Sequence, residues 1–173
     1  FKYNGRDVTV VILSVVVKRE GEAAFASLDG DTSGRLLIID GGGRTVNMAL
    51  FNNGEFRSGA TIELGVEAAL DNVDKALLGK GGRALTLMER DELLTAMGAG
   101  LPYGYIVDGR RDQIEQIARA QFDATAHALV QEVSSKIPGG PSMVQRLVFV
   151  GGAAYPALFG AAVKRELSMC ETG

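Results

Sequence analysis

The run Ile39-Asp40-Gly41-Gly42-Gly43-Arg44-Thr45 carries the most legible chemistry in this chain. An apolar stretch delivers one carboxylate into three glycines, and a second apolar stretch leaves them: a strand, a tight loop and a returning strand. Glycines without side-chain cover let backbone N–H groups approach an anion closely, and a carboxylate at a strand end suits a hydrated Mg2+. The loop reads as a phosphate cradle for a nucleotide, with an ordinary glycine-rich hairpin turn as the alternative. A second glycine step, Val150-Gly151-Gly152-Ala153, follows another apolar run and opens a helical pattern. Two strand-to-glycine steps in one α/β chain bracket a nucleotide, which favours the cradle.

The 173 residues, 46% hydrophobic and 23% charged, suit one globular domain, or one domain with a small attachment. A net charge of -3, with Lys and Arg scattered, excludes an electrostatic nucleic-acid binder, so no direct nucleic-acid contact is expected. Cys170 has no partner cysteine and no zinc-like Cys/His spacing exists, which makes the cytoplasm the expected setting. The apolar run 8–17 is too short to cross a bilayer, and no membrane role or signal peptide is expected. Opening on Phe and closing soon after a helix, the chain is expected to be cut from something longer.

Residues 8–17 are β-branched and continuously apolar, which predicts a strand buried on both faces. A short helix is expected over 20–28, then strands over 35–40, 45–52 and 55–62, the last two joined by Asn52-Asn53-Gly54 as a type I′ hairpin. Val66, Ala69, Leu70, Val73 and Leu77 recur at helical spacing over 63–78. Residues 79–109 read as an insertion of small mobile pieces with a short helix near 89–97. The strongest helix spans 112–136 and stops at Ile137-Pro138-Gly139-Gly140-Pro141; a strand over 146–150 and a helix over 153–167 follow. Three meandering strands, a helix, then strand and helix are the order of a ribonuclease-H-like α/β layer. Residues 1–34 would lead in from an N-terminal lobe, 35–78 and 110–173 would form the layer, and 79–109 a small inserted subdomain.

Three stretches in order, Ile39 to Thr45, then Gly59-Ala60-Thr61-Ile62-Glu63-Leu64-Gly65-Val66, then Val150-Gly151-Gly152-Ala153, resemble the actin-like ATPase superfamily. The plasmid-segregation type, ParM or StbA, looks most similar. The resemblance implies that Gly41, Gly42, Gly43, Arg44 and Thr45 form a second phosphate loop, that Asp40 carries the metal-linked carboxylate, and that Gly151, Gly152 and Ala153 form the adenosine motif. It also implies ATP or ADP with Mg2+, self-association of the parent protein into filaments, and a DNA-binding adaptor as partner. Glu20, after Val15-Val16-Val17-Lys18-Arg19, matches the family's acidic residue that orients attacking water; a solvated charge at a helix N-terminus is the other reading. Asn47 stands where the family often has Asp, Arg19 where it often has Pro, and the family's first phosphate loop is absent from these residues. The first two departures bear on turnover rather than on binding, whereas the third is larger, since a complete ATP clamp needs both halves.

Other residues tempt less. His127 lies opposite its helix's apolar stripe and is expected to face solvent. Gly79-Lys80-Gly81-Gly82-Arg83 lacks the Ser/Thr and preceding strand of a Walker loop. Arg44 either contacts a phosphate or points into water. Two rivals remain on the same fold: a sugar kinase or exopolyphosphatase, and a non-hydrolysing actin-like scaffold.

Overall fold

The computed structural model describes residues 2–28, 33–107, 110–152, 163 and 165. Along the chain run β1 (Lys2–Tyr3), β2 (Arg6–Asp7), α1 (Glu20–Ala26), β3 (Arg35–Gly41), β4 (Val46–Asn52), β5 (Glu55–Ile62), α2 (Val66–Gly79), α3 (Leu87–Gly98), β6 (Gly104–Val107), β7 (Arg110–Gln113), α4 (Glu115–Ser135), a 3-10 turn (Pro141–Met143) and β8 (Arg146–Val150). The principal sheet has the order β5-β4-β3-β8, antiparallel except for the parallel pair β3/β8. Asn53 and Gly54 at the β4–β5 turn both have positive φ, the conformation that an Asn-Gly step supplies in a type I′ hairpin. Asn4 and Gly5 repeat it between β1 and β2, a hairpin that the apolar pattern does not reveal.

Alternation along the strands divides the sheet into two buried faces. Leu37, Ile39, Met48 and Leu50 join one cluster with Ala69, Val73 and Leu77 of α2 and Ala118, Phe122, Leu129 and Val133 of α4. Leu36, Ile38, Ala49 and Phe51 form the other, under α1. Burial on both sides explains why β3 reads as one uninterrupted apolar run. On the outer face Phe25 of α1 stacks on Phe51 with centroids 4.2 Å apart. Gly21 sits directly on the Ala49 methyl group, so any side chain there would lift α1 off the sheet.

Two expectations need correction. Residues 8–19 form no regular element, and Leu13 is 92% exposed rather than buried. An apolar run has strand character only when neighbouring strands take up its N–H and C=O groups, and among the described residues none lies beside it. The 79–109 stretch is not merely mobile pieces: it holds α3, and β6 pairs with β7 in an antiparallel hairpin. Asp112 consequently belongs to β7, and α4 begins only at Glu115. The helix expected over 153–167 lies outside the described residues except for Val163 and Arg165, both helical, with Val163 fully buried.

Candidate functional site

The hairpin after β3 has its polarity set by α2. Gly42 N–H closes the turn onto the Thr45 carbonyl at 2.9 Å. Its remaining carbonyls are taken by the start of α2: Gly65 N–H donates to Arg44 O at 3.1 Å, Val66 N–H to Gly42 O at 3.3 Å, and Glu67 N–H to Gly43 O at 2.8 Å. In a trans peptide the N–H lies opposite the preceding C=O, and no described peptide bond is cis. The amides of Gly43, Arg44 and Thr45 therefore face away from α2 together, a concavity of three donors that fits an anion. The same bonds occupy the first amides of α2, so the helix end itself is not the anion ligand. Gly65 allows this seating, since a Cβ there would strike the Gly43 carbonyl.

Parallel pairing brings the second glycine step to the same corner. Asp40 is the register partner of Val150, so the carboxyl ends of β3 and β8 emerge side by side. Gly151, at φ +85°, passes so near Asp40 that a Cβ would collide with its Oδ1, and would lie 2.6 Å from the Gly41 carbonyl. Gly152 is exposed, and among the described residues no atom lies within 4 Å of where its Cβ would stand. The structure thus unites Asp40, Gly41 to Thr45, Gly151 and Gly152, while Ala153 lies outside the described residues. Ligands of open α/β sheets bind at such carboxyl-end corners.

A polar row crosses the outer face at this end. Asp40 pairs with Asn47 and Asn47 with Thr61, whose hydroxyl donates to Asn47 Oδ1 at 2.7 Å. Glu20 opens α1, and the next residue, Gly21, rests on Ala49, two positions along β4 from Asn47. The backbone of Glu20 is therefore on the Asp40 side of the sheet; its side chain lies outside the described structure. Arg44 does not reach over the cradle: its guanidinium turns to Glu67 at 3.9 Å and is 86% exposed. Thr61 was not among the expected site residues, although Ile62 packs inward and strand alternation puts its neighbour Thr61 on this face.

The described groups with clearly shifted proton affinity lie elsewhere, at the joint between α2 and α3. Arg83 forks onto Glu89 at 2.6 and 2.7 Å, and with Thr86 it holds the Glu89 carboxyl at about 2. Burial, with a hydrogen bond to Glu92, pushes the Tyr103 hydroxyl up to about 12. Arg90 is raised through its bonds to Asp74 and Asp71. These groups fasten α3 and are remote from Asp40 in the chain. Lys80, Gly81 and Gly82 form the turn that ends α2, with their N–H groups bonded to Leu77 and Leu78 carbonyls, so the Walker-like stretch cradles nothing. His127 is exposed, its ring 3.0 Å from Gln131.

No protein-family model matches the sequence, and no curated protein sequence matches it either. Solved structures do. An archaeal actin homolog, Ta0583, superposes with a TM-score of 0.69 at 16% identity, over 90% of this chain and 47% of its own. The same homolog in complex with ADP gives 0.66 at 17% identity, over 86% and 47%. A subunit of a 15-stranded ParM filament from Clostridium botulinum gives 0.62 at 16% identity, over 88% and 45%. The fold is therefore actin-like, of the α/β ribonuclease-H-like class, and the chain spans about half the length of the structures that it matches.

Proposed function

We propose that this chain is the nucleotide-binding half of an actin-like, filament-forming ATPase that serves plasmid or DNA segregation. The observation that carries the reading is the set of three amides, on Gly43, Arg44 and Thr45, turned to one side of a hairpin beside a half-buried carboxylate and a second glycine step. In this reading Gly41, Gly42, Gly43, Arg44 and Thr45 cradle the phosphates of ATP or ADP through backbone donors. Gly151, Gly152 and Ala153 let the adenosine approach the sheet end without a side chain intervening. The ADP-bound archaeal homolog and the ParM filament lend support by likeness of fold.

Mg2+ is tested by the donor set. Among the described residues no three His, Cys, Asp or Glu side chains converge as a metal cage. One carboxylate at the phosphate corner is nevertheless what a hydrated Mg2+ shared with phosphates requires. Asp40 would hold that ion through water, and the ion would neutralise charge on the phosphates. Glu20 would orient the attacking water from the start of α1. Residues 35–78 and 110–173 would act as the nucleotide-binding layer, 79–109 as an inserted subdomain, and 1–34 as the lead-in from another lobe. Filament subunits, a DNA-binding adaptor and a cytoplasmic setting complete the proposal; among the described residues no helix is long and apolar enough to cross a membrane.

Calorimetric titration with ATP and Mg2+, followed by sedimentation with ATP against ADP, tests it. Asp40→Ala is expected to weaken Mg2+-dependent ATP binding by about tenfold or more, the loss of one charge-assisted contact. Unchanged binding in that variant rejects the assignment of Asp40. Phosphate release that strictly requires a sugar would transfer the chain to the kinase reading, and nucleotide-independent pelleting would favour a scaffold.

A further inference from the structure

Arg44 brings two groups of opposite aim to the phosphate hairpin. Its main-chain amide belongs to the set that faces away from α2, while its guanidinium turns toward α2, with Nε 3.9 Å from Glu67 Oε2. Glu67 is fixed to the hairpin independently of that contact. Its N–H donates to Gly43 O at 2.8 Å, and its carboxylate lies so near that a Cβ built on Gly43 would stand 3.3 Å from Oε1. A cavity of about 570 Å³ opens on this side, with Arg44, Glu63, Glu67 and Asp71 among its lining residues. Asp71 is already bonded to Arg90 at 2.8 Å, and Glu67 is the carboxylate that meets Arg44. We infer that Arg44 is a two-position side chain, held by Glu67 while the cradle is empty and transferred to the phosphates when a nucleotide binds, so that Glu67 tunes the affinity as a competitor for it. The inference deepens the nucleotide reading above and rests on it.

The exchange follows from how unequal the two anions are. At 3.9 Å, with the two side chains 86% and 55% exposed, the Arg44–Glu67 pair lies in water, where such pairs contribute little. A phosphate seated on the hairpin amides carries more charge than a carboxylate and offers several oxygens to the guanidinium fork. Reach follows from the backbone, since an anion on the Arg44 N–H lies next to the Cα that bears the side chain. Passing from one position to the other takes a step of about 120° between staggered χ1 wells. Once Arg44 has gone over, Glu67 is left beside Gly43 without this cation, and its charge then opposes the bound state. Glu67 thus acts through Arg44 without touching the nucleotide, as a positioning residue whose neutralisation tightens binding.

The test uses the full chain, labelled with ¹⁵N, with ATP or ADP and Mg2+ at fixed ionic strength. The Arg44 Nε–H signal, assigned through Arg44→Gln, is expected to move when nucleotide binds. Arg44→Gln keeps the main-chain amide and should weaken binding about tenfold, the loss of one charge-assisted contact. Glu67→Gln should tighten binding about threefold, a direction that a merely destabilised fold does not produce. In the doubly substituted chain that gain should vanish, leaving the affinity within about twofold of Arg44→Gln alone. A Glu67→Gln gain of equal size in both backgrounds overturns the inference, because the carboxylate would then act on the phosphates directly. An unmoved Arg44 signal with unchanged affinity in Arg44→Gln, while nucleotide binds, also overturns it and leaves the nucleotide reading standing. Failure of the unaltered chain to bind either nucleotide overturns both.

Discussion

Gly151 shows how much of the corner depends on an absent side chain. Its φ of +85° is a region that other residues enter only under strain, and the space for a Cβ is filled by the Asp40 carboxylate and the Gly41 carbonyl. Gly151→Ala is therefore expected to destabilise the chain by roughly 1–3 kcal/mol and to shift Asp40. Chemical denaturation of the variant checks the first expectation. Loss of the Mg2+-dependent part of ATP binding checks the second, and a variant of unaltered stability would show that the corner is looser than described. The importance of this glycine was legible from its place after an apolar run. Its collision with Asp40, 111 positions away by number, was not, because that depends on the parallel register of β3 and β8.

Among the elements, α2 does two tasks. Its inner stripe packs on the sheet, and its first turn fixes the hairpin carbonyls, which aims the hairpin amides outward. The middle of α2 holds α3 through Arg90 with Asp71 and Asp74, while Arg83, Thr86 and Glu89 secure the start of α3. Glu89 has its carboxyl lowered to about 2, chiefly by the Arg83 hydrogen bonds. A group depressed in the folded state stabilises fully above its unfolded value, and that contribution is lost as pH falls through the carboxylate range toward the folded value. Thermal melts of the chain and of Glu89→Gln should therefore differ most near neutral pH and converge between about pH 4 and pH 2. Melts that stay equally far apart at both ends of that range would show that Glu89 does not act through its charge. The α3 segment was visible in the sequence as a short helix. The β6/β7 hairpin was not, since its four-residue strands are too short to show alternation over a loop background.

For the molecule as a whole, the contrast between two apolar runs is the telling one. Ile38 and Leu13 sit in stretches of similar composition, yet Ile38 has no exposed surface and Leu13 is 92% exposed. Ile38→Ala should cost about 2–4 kcal/mol by leaving a cavity between α1 and the sheet. Leu13→Lys should change the stability of this chain by no more than about 0.5 kcal/mol. Denaturation midpoints of the two variants decide it, and a large loss in Leu13→Lys would mean that the run is covered in solution. Likeness in fold to the actin homologues extends over about half of their length.

The amino-acid order alone determined the local features: the carboxylate entering three glycines, the Asn-Gly turn, the amphipathic stripes of α2 and α4, and hence the α/β class. Each of these is set by residues within a few positions of one another, where side-chain type and period act directly on the backbone. Tertiary structure alone decided that Gly151 lies on Asp40, that α2 turns the hairpin amides outward, and that Thr61 holds Asn47. It also decided that, among the described residues, no strand pairs with 8–17. Those outcomes depend on strand register and on which surfaces meet, and a linear pattern carries no information about contacts between segments whose periods are alike.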